Sequence, residues 1–112
     1  MNRVLPNKNL INTPCSIVAV ACVLGRVPED IPDLKNNGYA SLTSANKFFR
    51  SHLKIKKRID YKKNERPKLK DLHMSEKAII CVYGHFLYLE GEMYYSFYDN
   101  ENDKVVAVWI IE

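Results

Sequence analysis

Along the chain the apolar positions first run together, then follow a helical spacing, then alternate, and finally come in short runs broken by turn residues. Residues 15–24, "CSIVAVACVL", are almost wholly apolar. With Thr13 as N-cap, Pro14 at the first helical position and Gly25 as a stop, they predict a helix of about ten residues, buried on most sides. Residues 25–40, "GRVPEDIPDLKNNGYA", read as a loop with a turn of helix around Pro28–Leu34. Leu42, Ala45, Phe48, Phe49 and Leu53 then follow helical spacing, capped by Ser41 or Thr43. From Leu53 to Tyr61 apolar Leu53, Ile55, Ile59 and Tyr61 alternate with charged Lys54, Lys56, Arg58 and Asp60 as in a half-exposed strand. Pro67–Met74 predicts a short helix burying Leu69 and Leu72. Ala78–Leu89, Met93–Asp99 and Val105–Ile111 are rich in Val, Ile, Tyr, Phe and Trp and read as strands, joined by a two-residue turn at Glu90-Gly91 and a bend at "DNEND". Helices followed by a meander of strands predict an α+β domain spanning residues 1–112, its central N-terminal helix packed on an antiparallel sheet.

Composition agrees with one folded unit. The 112 residues are 46% hydrophobic and 27% charged, with seven Tyr, four Phe and one Trp. Cys15, Cys22 and Cys81 form neither a CxxC pair nor a regular framework, which excludes a zinc knuckle or disulfide scaffold as an expectation and fits a reducing, cytoplasmic setting. The apolar run Ser16–Leu24 is too short to span a bilayer, and the polar "NKNLINTP" before it is a poor signal-peptide entry, so no membrane partner is expected. No motif calls for a metal or cofactor.

Chemistry is suggested by where Cys15 sits. A thiol at a helix start meets unpaired N–H groups and the positive end of the helix dipole, both of which favour thiolate, and a nearby imidazole would complete an activated nucleophile. His52 and His73 fall near the ends of helical segments, where exposure or capping is the ordinary role. His85 differs: it follows Gly84 in "CVYGHFLYLEGEMYYSFYD", among apolar and aromatic residues. Alone it reads as a core histidine satisfied by backbone; paired with Cys15 it reads as a base. Cys22, two helical turns beyond Cys15, and Cys81, in "AIICVY", read as core. The tyrosines at 83, 88, 94, 95 and 98 read as a packed sheet surface, one or two of them bordering a cleft.

A Cys opening an apolar helix, a loop-rich middle, a Gly-His beginning a hairpin and an Asp or Asn at its far end resemble the papain-like cysteine peptidases. The nearest likeness is to small members such as bacteriocin-processing peptidase domains and short papain-like phage proteins. It is carried by Pro14–Leu24, Gly84-His85, "FLYL", Glu90-Gly91, "MYYSFYD" and "KVVAVW". The resemblance implies a minimal papain-like fold and a thiol hydrolase, peptidase or amidase, acting on a peptide or protein substrate. Cys15 would be the nucleophile, His85 the base, Asp99 the orienting group and Asn9, six residues before the Cys, the oxyanion amide in place of the usual Gln; Asn12 is the other amide nearby. A two-residue turn at Glu90-Gly91 sets His85 opposite Ser96 and puts Asp99 about 10 Å along and on the other face. Either a longer loop or a bulge brings Asp99 into line, or Ser96 orients the imidazole.

Charge adds a second reading. The net +4 divides into +3 for residues 1–52, +7 for 53–70 and −6 for 71–112. The segment 53–70, "LKIKKRIDYKKNERPKLK", suits a solvated strand edge or a grip on an acidic protein or nucleic acid. No recognition-helix, RNP or zinc-finger pattern accompanies it. The alternative to an enzyme is therefore a catalytically weak or inactive papain-fold binding protein, such as a phage or bacterial inhibitor.

Overall fold

The computed structural model describes residues 1–25 and 42–112. Six strands form one sheet: β1 (Asn2–Val4), β2 (Ile55–Asp60), β3 (Ala78–Val82), β4 (His85–Glu90), β5 (Met93–Tyr95) and β6 (Val105–Ile111), in the spatial order β1-β5-β4-β3-β6-β2. Two helices, α1 (Cys15–Leu24) and α2 (Leu42–His52), complete an α+β fold. The sheet is mixed, not antiparallel throughout, because β1 pairs in parallel with β5. That strand is only three residues long, too short for its period to stand out in the sequence.

Helix α1 ends as expected: Gly25 has φ 63° and its N–H reaches the Ala21 and Cys22 carbonyls. Its start differs. Pro14, not Thr13, is the N-cap, and no side chain caps the helix. The loop expected over 25–40, with its turn of helix, and Ser41 as a cap lie outside the described residues apart from Gly25. Helix α2 stops at His52, and the strand expected from Leu53 begins at Ile55.

Two further expectations change. The run Ala78–Leu89 is not one strand but a hairpin, reversed at Tyr83-Gly84 with Val82 opposite His85. Gly84 holds φ 71°, a left-handed conformation that costs any residue with a Cβ. The next turn uses Gly91-Glu92 and not Glu90-Gly91, so Leu89 faces Tyr94. The strand starting at Met93 stops at Tyr95 instead of reaching Asp99, and Ser96 N–H turns to the Val4 carbonyl, 3.2 Å away. The helix expected at Pro67–Met74 is a 3-10 turn, Leu69–Asp71, which still buries Leu69 and Leu72.

Both sheet faces are covered, and the strand sequence shows how. Ile79, Cys81, Phe86, Ala107 and Trp109 pack beneath the helices with Ile17, Val20, Phe48 and Phe49, while Ile80, Val82, Leu87, Leu89, Val108 and Ile110 pack beneath Leu69 and Leu72. Alternation along β3 and β6 thus sends neighbours to opposite cores, which is why β3 is buried at every position. Trp109 anchors the helical side: fully buried, it donates from Nε1 to Asn46 Oδ1 (3.0 Å) and meets Phe49 edge-on at 4.9 Å. Helix α1 lies against β4. No helix among the described residues is long and apolar enough to cross a membrane.

Candidate active site

The packing of α1 on β4 brings the first residue of each element to the same place. Strict alternation with Leu87 and Leu89 would send His85 to the opposite face, but it heads β4 at the end of the sheet. There it lines two cavities with Cys15, Gly84 and Phe86. One, about 430 Å³, continues past Thr13, Ser96, Tyr98 and Asn100. The other, about 420 Å³, continues past Leu42, Arg66, Cys81 and Val106. The thiol and imidazole therefore stand between two hollows of similar size. No hydrogen bond joins them among the described residues; what they share is the wall.

The polarity of the site follows from the charge at its far end. Asn100, 5% exposed, donates from Nδ2 to Asp103 Oδ2 at 2.7 Å. A carboxylate accepts only, so this contact fixes which end of the amide is which. The Asn100 Oδ1 must then accept, and it takes the single hydroxyl proton of Ser96 at 2.6 Å. Ser96, 2% exposed, also accepts from the Tyr98 N–H at 3.1 Å. With its proton committed, Ser96 Oγ has only a lone pair for His85 Nε2, 3.1 Å away. His85 is thereby the Nε2–H tautomer, and Nδ1 keeps the free lone pair. Burial also pulls the His85 pKa below its ordinary value, opposed by Asp103. Tyr98 stands edge-on to the imidazole at 5.4 Å.

This network corrects the expected orienting group. Asp99 is exposed, and its carboxylate accepts from the hydroxyl of the buried Tyr94 (3.3 Å) and from the Glu101 N–H (3.2 Å). The imidazole's side-chain partner is Ser96, the other candidate, backed by Asn100 and Asp103. Sequence reasoning missed those two because "DNEND" has ordinary turn chemistry, which the Asp103 N–H to Asn100 carbonyl bond of 3.0 Å reflects. Asn9 is exposed in a 3-10 turn, Lys8–Leu10, and is not among the residues lining either cavity; neither is Asn12. Thr13, freed from capping, lines the larger one.

The first turn of α1 leaves other donors. Ile17 and Val18 N–H both reach the Pro14 carbonyl at 3.0 Å, and no side chain caps the turn, so the Cys15 and Ser16 amides are the helix's unpaired N–H groups among the described residues. The three thiols differ in surroundings. Burial pushes Cys22 and Cys81 up to about 11, and interaction with Cys15 adds to the rise at Cys81. Cys81 Sγ lies 3.4 Å from the Val82 carbonyl. Cys22 packs on the core, and Cys81 belongs to it while also touching the second cavity. His52 stacks edge-on with Phe48 at 4.8 Å, and His73 is exposed. No cluster of three or more His, Cys, Asp or Glu among the described residues could hold a metal ion.

Compared with protein-family models, curated proteins and solved structures, the chain matches none of them.

Proposed function

We propose that the chain is a minimal papain-like thiol hydrolase, a peptidase or amidase that works through an acyl-enzyme on Cys15. The observation that carries this reading is the set Asp103, Asn100, Ser96, His85, which engages Nε2 and leaves Nδ1 without a hydrogen-bond partner among the described residues, on a histidine that lines the same cavity as Cys15. His85 Nδ1 takes the Cys15 proton as sulfur attacks the amide carbonyl. The oxyanion is met by the unpaired Cys15 and Ser16 amides at the helix start rather than by Asn9. His85 then gives its proton to the leaving amine, and a water, deprotonated at Nδ1, opens the thioester and restores the thiol. Ser96 is the orienting group in place of Asp99, and Asn100 and Asp103 position it.

An activated ester tests the reading directly. With p-nitrophenyl acetate, one equivalent of nitrophenol per protein should appear as a burst, with an acetyl thioester on the peptide holding Cys15. Cys15→Ala should remove the burst, and His85→Asn should slow both acylation and release. Acetylation spread over all three cysteines would overturn the reading.

A second reading is favoured by the place of the basic segment. Strand β2 is an edge of the sheet among the described residues, with Lys57 exposed on it and Lys54 exposed just before it, while Lys56 pairs with Glu76 and Arg58 with Asp60. On this reading the edge grips an acidic partner, and affinity that survives Cys15→Ala but is lost with Lys54→Gln and Lys57→Gln supports it.

A further inference from the structure

The second cavity carries a cation and no carboxylate among its described lining residues. Arg66 lies on its wall, reached by a chain that is well anchored: the Pro67 carbonyl accepts from Val105 N–H at 2.7 Å and Leu69 N–H donates to the Asp103 carbonyl at 2.9 Å. The Arg66 side chain is half-buried, and its Nε, shielded from solvent, has no hydrogen-bond partner among the described residues. The ion pairs among the described residues use Lys56, Arg58 and Lys77, and none uses Arg66. A guanidinium nitrogen removed from water without an acceptor is costly, and a planar carboxylate is the group that matches its fork of donors. Around it the wall is apolar, with Leu42, Val82 and Val106, which suits the methylene stem of an acidic side chain or the carbon chain behind a terminal carboxylate.

We infer that this cavity is a carboxylate-binding subsite, in which Arg66 selects substrates bearing an acidic group beside the amide that Cys15 attacks. As a statement about substrates this rests on the thiol-hydrolase reading; as a binding site it is measured apart from it. Aliphatic apposition and the charge pair act together, and the neutral wall gives the ion pair a setting less screened than bulk water.

Two measurements test it. In the first, the Arg66 Nε–H resonance of 15N-labelled protein is titrated with N-acetylglutamate α-amide and with N-acetylalanine, and N-acetylglutamine amide is the neutral control. The subsite predicts a saturable shift with at least one carboxylate and none with the control; which carboxylate binds tells a side chain from a chain terminus. No shift with either overturns the inference, whatever becomes of the enzyme reading. In the second, Cys15 is alkylated with iodoacetate and iodoacetamide, sulfur displacing iodide in both. The ratio of the two rates, relative to that of free N-acetylcysteine, should be raised about ten-fold in the native protein by the charge attraction and should fall to the free-thiol ratio in Arg66→Gln. Arg66→Lys, which keeps the charge but not the fork, should retain part of the gain. A ratio indifferent to residue 66 overturns the inference while leaving the hydrolase reading intact. The opposite failure, a carboxylate-bound Arg66 with no acyl-enzyme at Cys15, removes the hydrolase and keeps the subsite.

Discussion

Replacing Ser96 by Ala removes the atom on which the site's polarity turns. Three hydrogen bonds converge on its hydroxyl oxygen, with His85 at 3.1 Å, Asn100 at 2.6 Å and the Tyr98 N–H at 3.1 Å. The shortest matters most, because Asn100 is 5% exposed and would keep a buried carbonyl oxygen with no donor. Such an orphan costs about 1–3 kcal/mol, and the two bonds nearer to solvent about 0.5–1 kcal/mol each. The expected loss is therefore about 3 kcal/mol, or a fall in Tm of about 12 °C for a domain of this size. Urea unfolding followed by Trp109 fluorescence gives the change, read as a lower midpoint at constant slope. A double-mutant cycle with Asn100→Ala isolates the shared term, for which about 1 kcal/mol or more of coupling is expected between residues in one network. A loss below about 0.5 kcal/mol, with additive single changes, would refute the reasoning, since an unpaired buried oxygen cannot be that cheap.

Other predictions concern the thiols, the ring and the turn. At pH 8 one equivalent of iodoacetamide should modify Cys15 before Cys22 or Cys81: raising a thiol from 9.0 to about 11 leaves it roughly a hundred-fold less thiolate, and peptide mapping that finds Cys22 or Cys81 labelled first contradicts this. Because the folded-state pKa of His85 lies below its ordinary 6.5, the unfolded chain takes up a proton below pH 6.5 that the native state refuses, so stability present above that pH is lost as pH falls toward the lower value. The difference in unfolding free energy between native protein and His85→Gln should shrink over that window, and a constant difference would tell against a buried neutral ring. Gly84→Ala should cost about 1–2 kcal/mol through its φ of 71° alone, since an added Cβ meets nothing within 4 Å; an unchanged midpoint would mean that the turn is built otherwise.

What could be read in advance follows from how local each signal is. Helix α1 was legible because Pro14, ten apolar or small residues and Gly25 are contiguous, and the positions of Cys15 and His85 at the heads of their elements because punctuation stands just before each. The hairpin of β3 and β4 was hidden by the unbroken apolar run around Tyr83-Gly84, although Gly84 was its signal. Strand β1 was invisible for a different reason: three residues acquire their structure only by lying beside Met93–Tyr95, which no periodicity records. Ser96 was reached through a register two residues out, and the contact nevertheless exists because β5 ends at Tyr95 and the chain turns back toward the ring. Asp99 stood as a candidate beside Ser96 because a carboxylate is the stronger partner for an imidazole. The structure spends that carboxylate on Tyr94 and uses the neighbouring amide, which can be buried more cheaply and can both donate and accept.

The central claim is that a chain of fixed donors and acceptors presents His85 as a neutral base with its Nδ1 lone pair open to Cys15. Long-range 1H–15N correlation of the labelled imidazole at pH 7.5 measures this without any substrate. The account predicts a protonated Nε2 and a bare Nδ1 in the native protein, with the preference weakened in Ser96→Ala. A ring protonated at Nδ1, or averaging freely between the two forms as in an unstructured peptide, contradicts it.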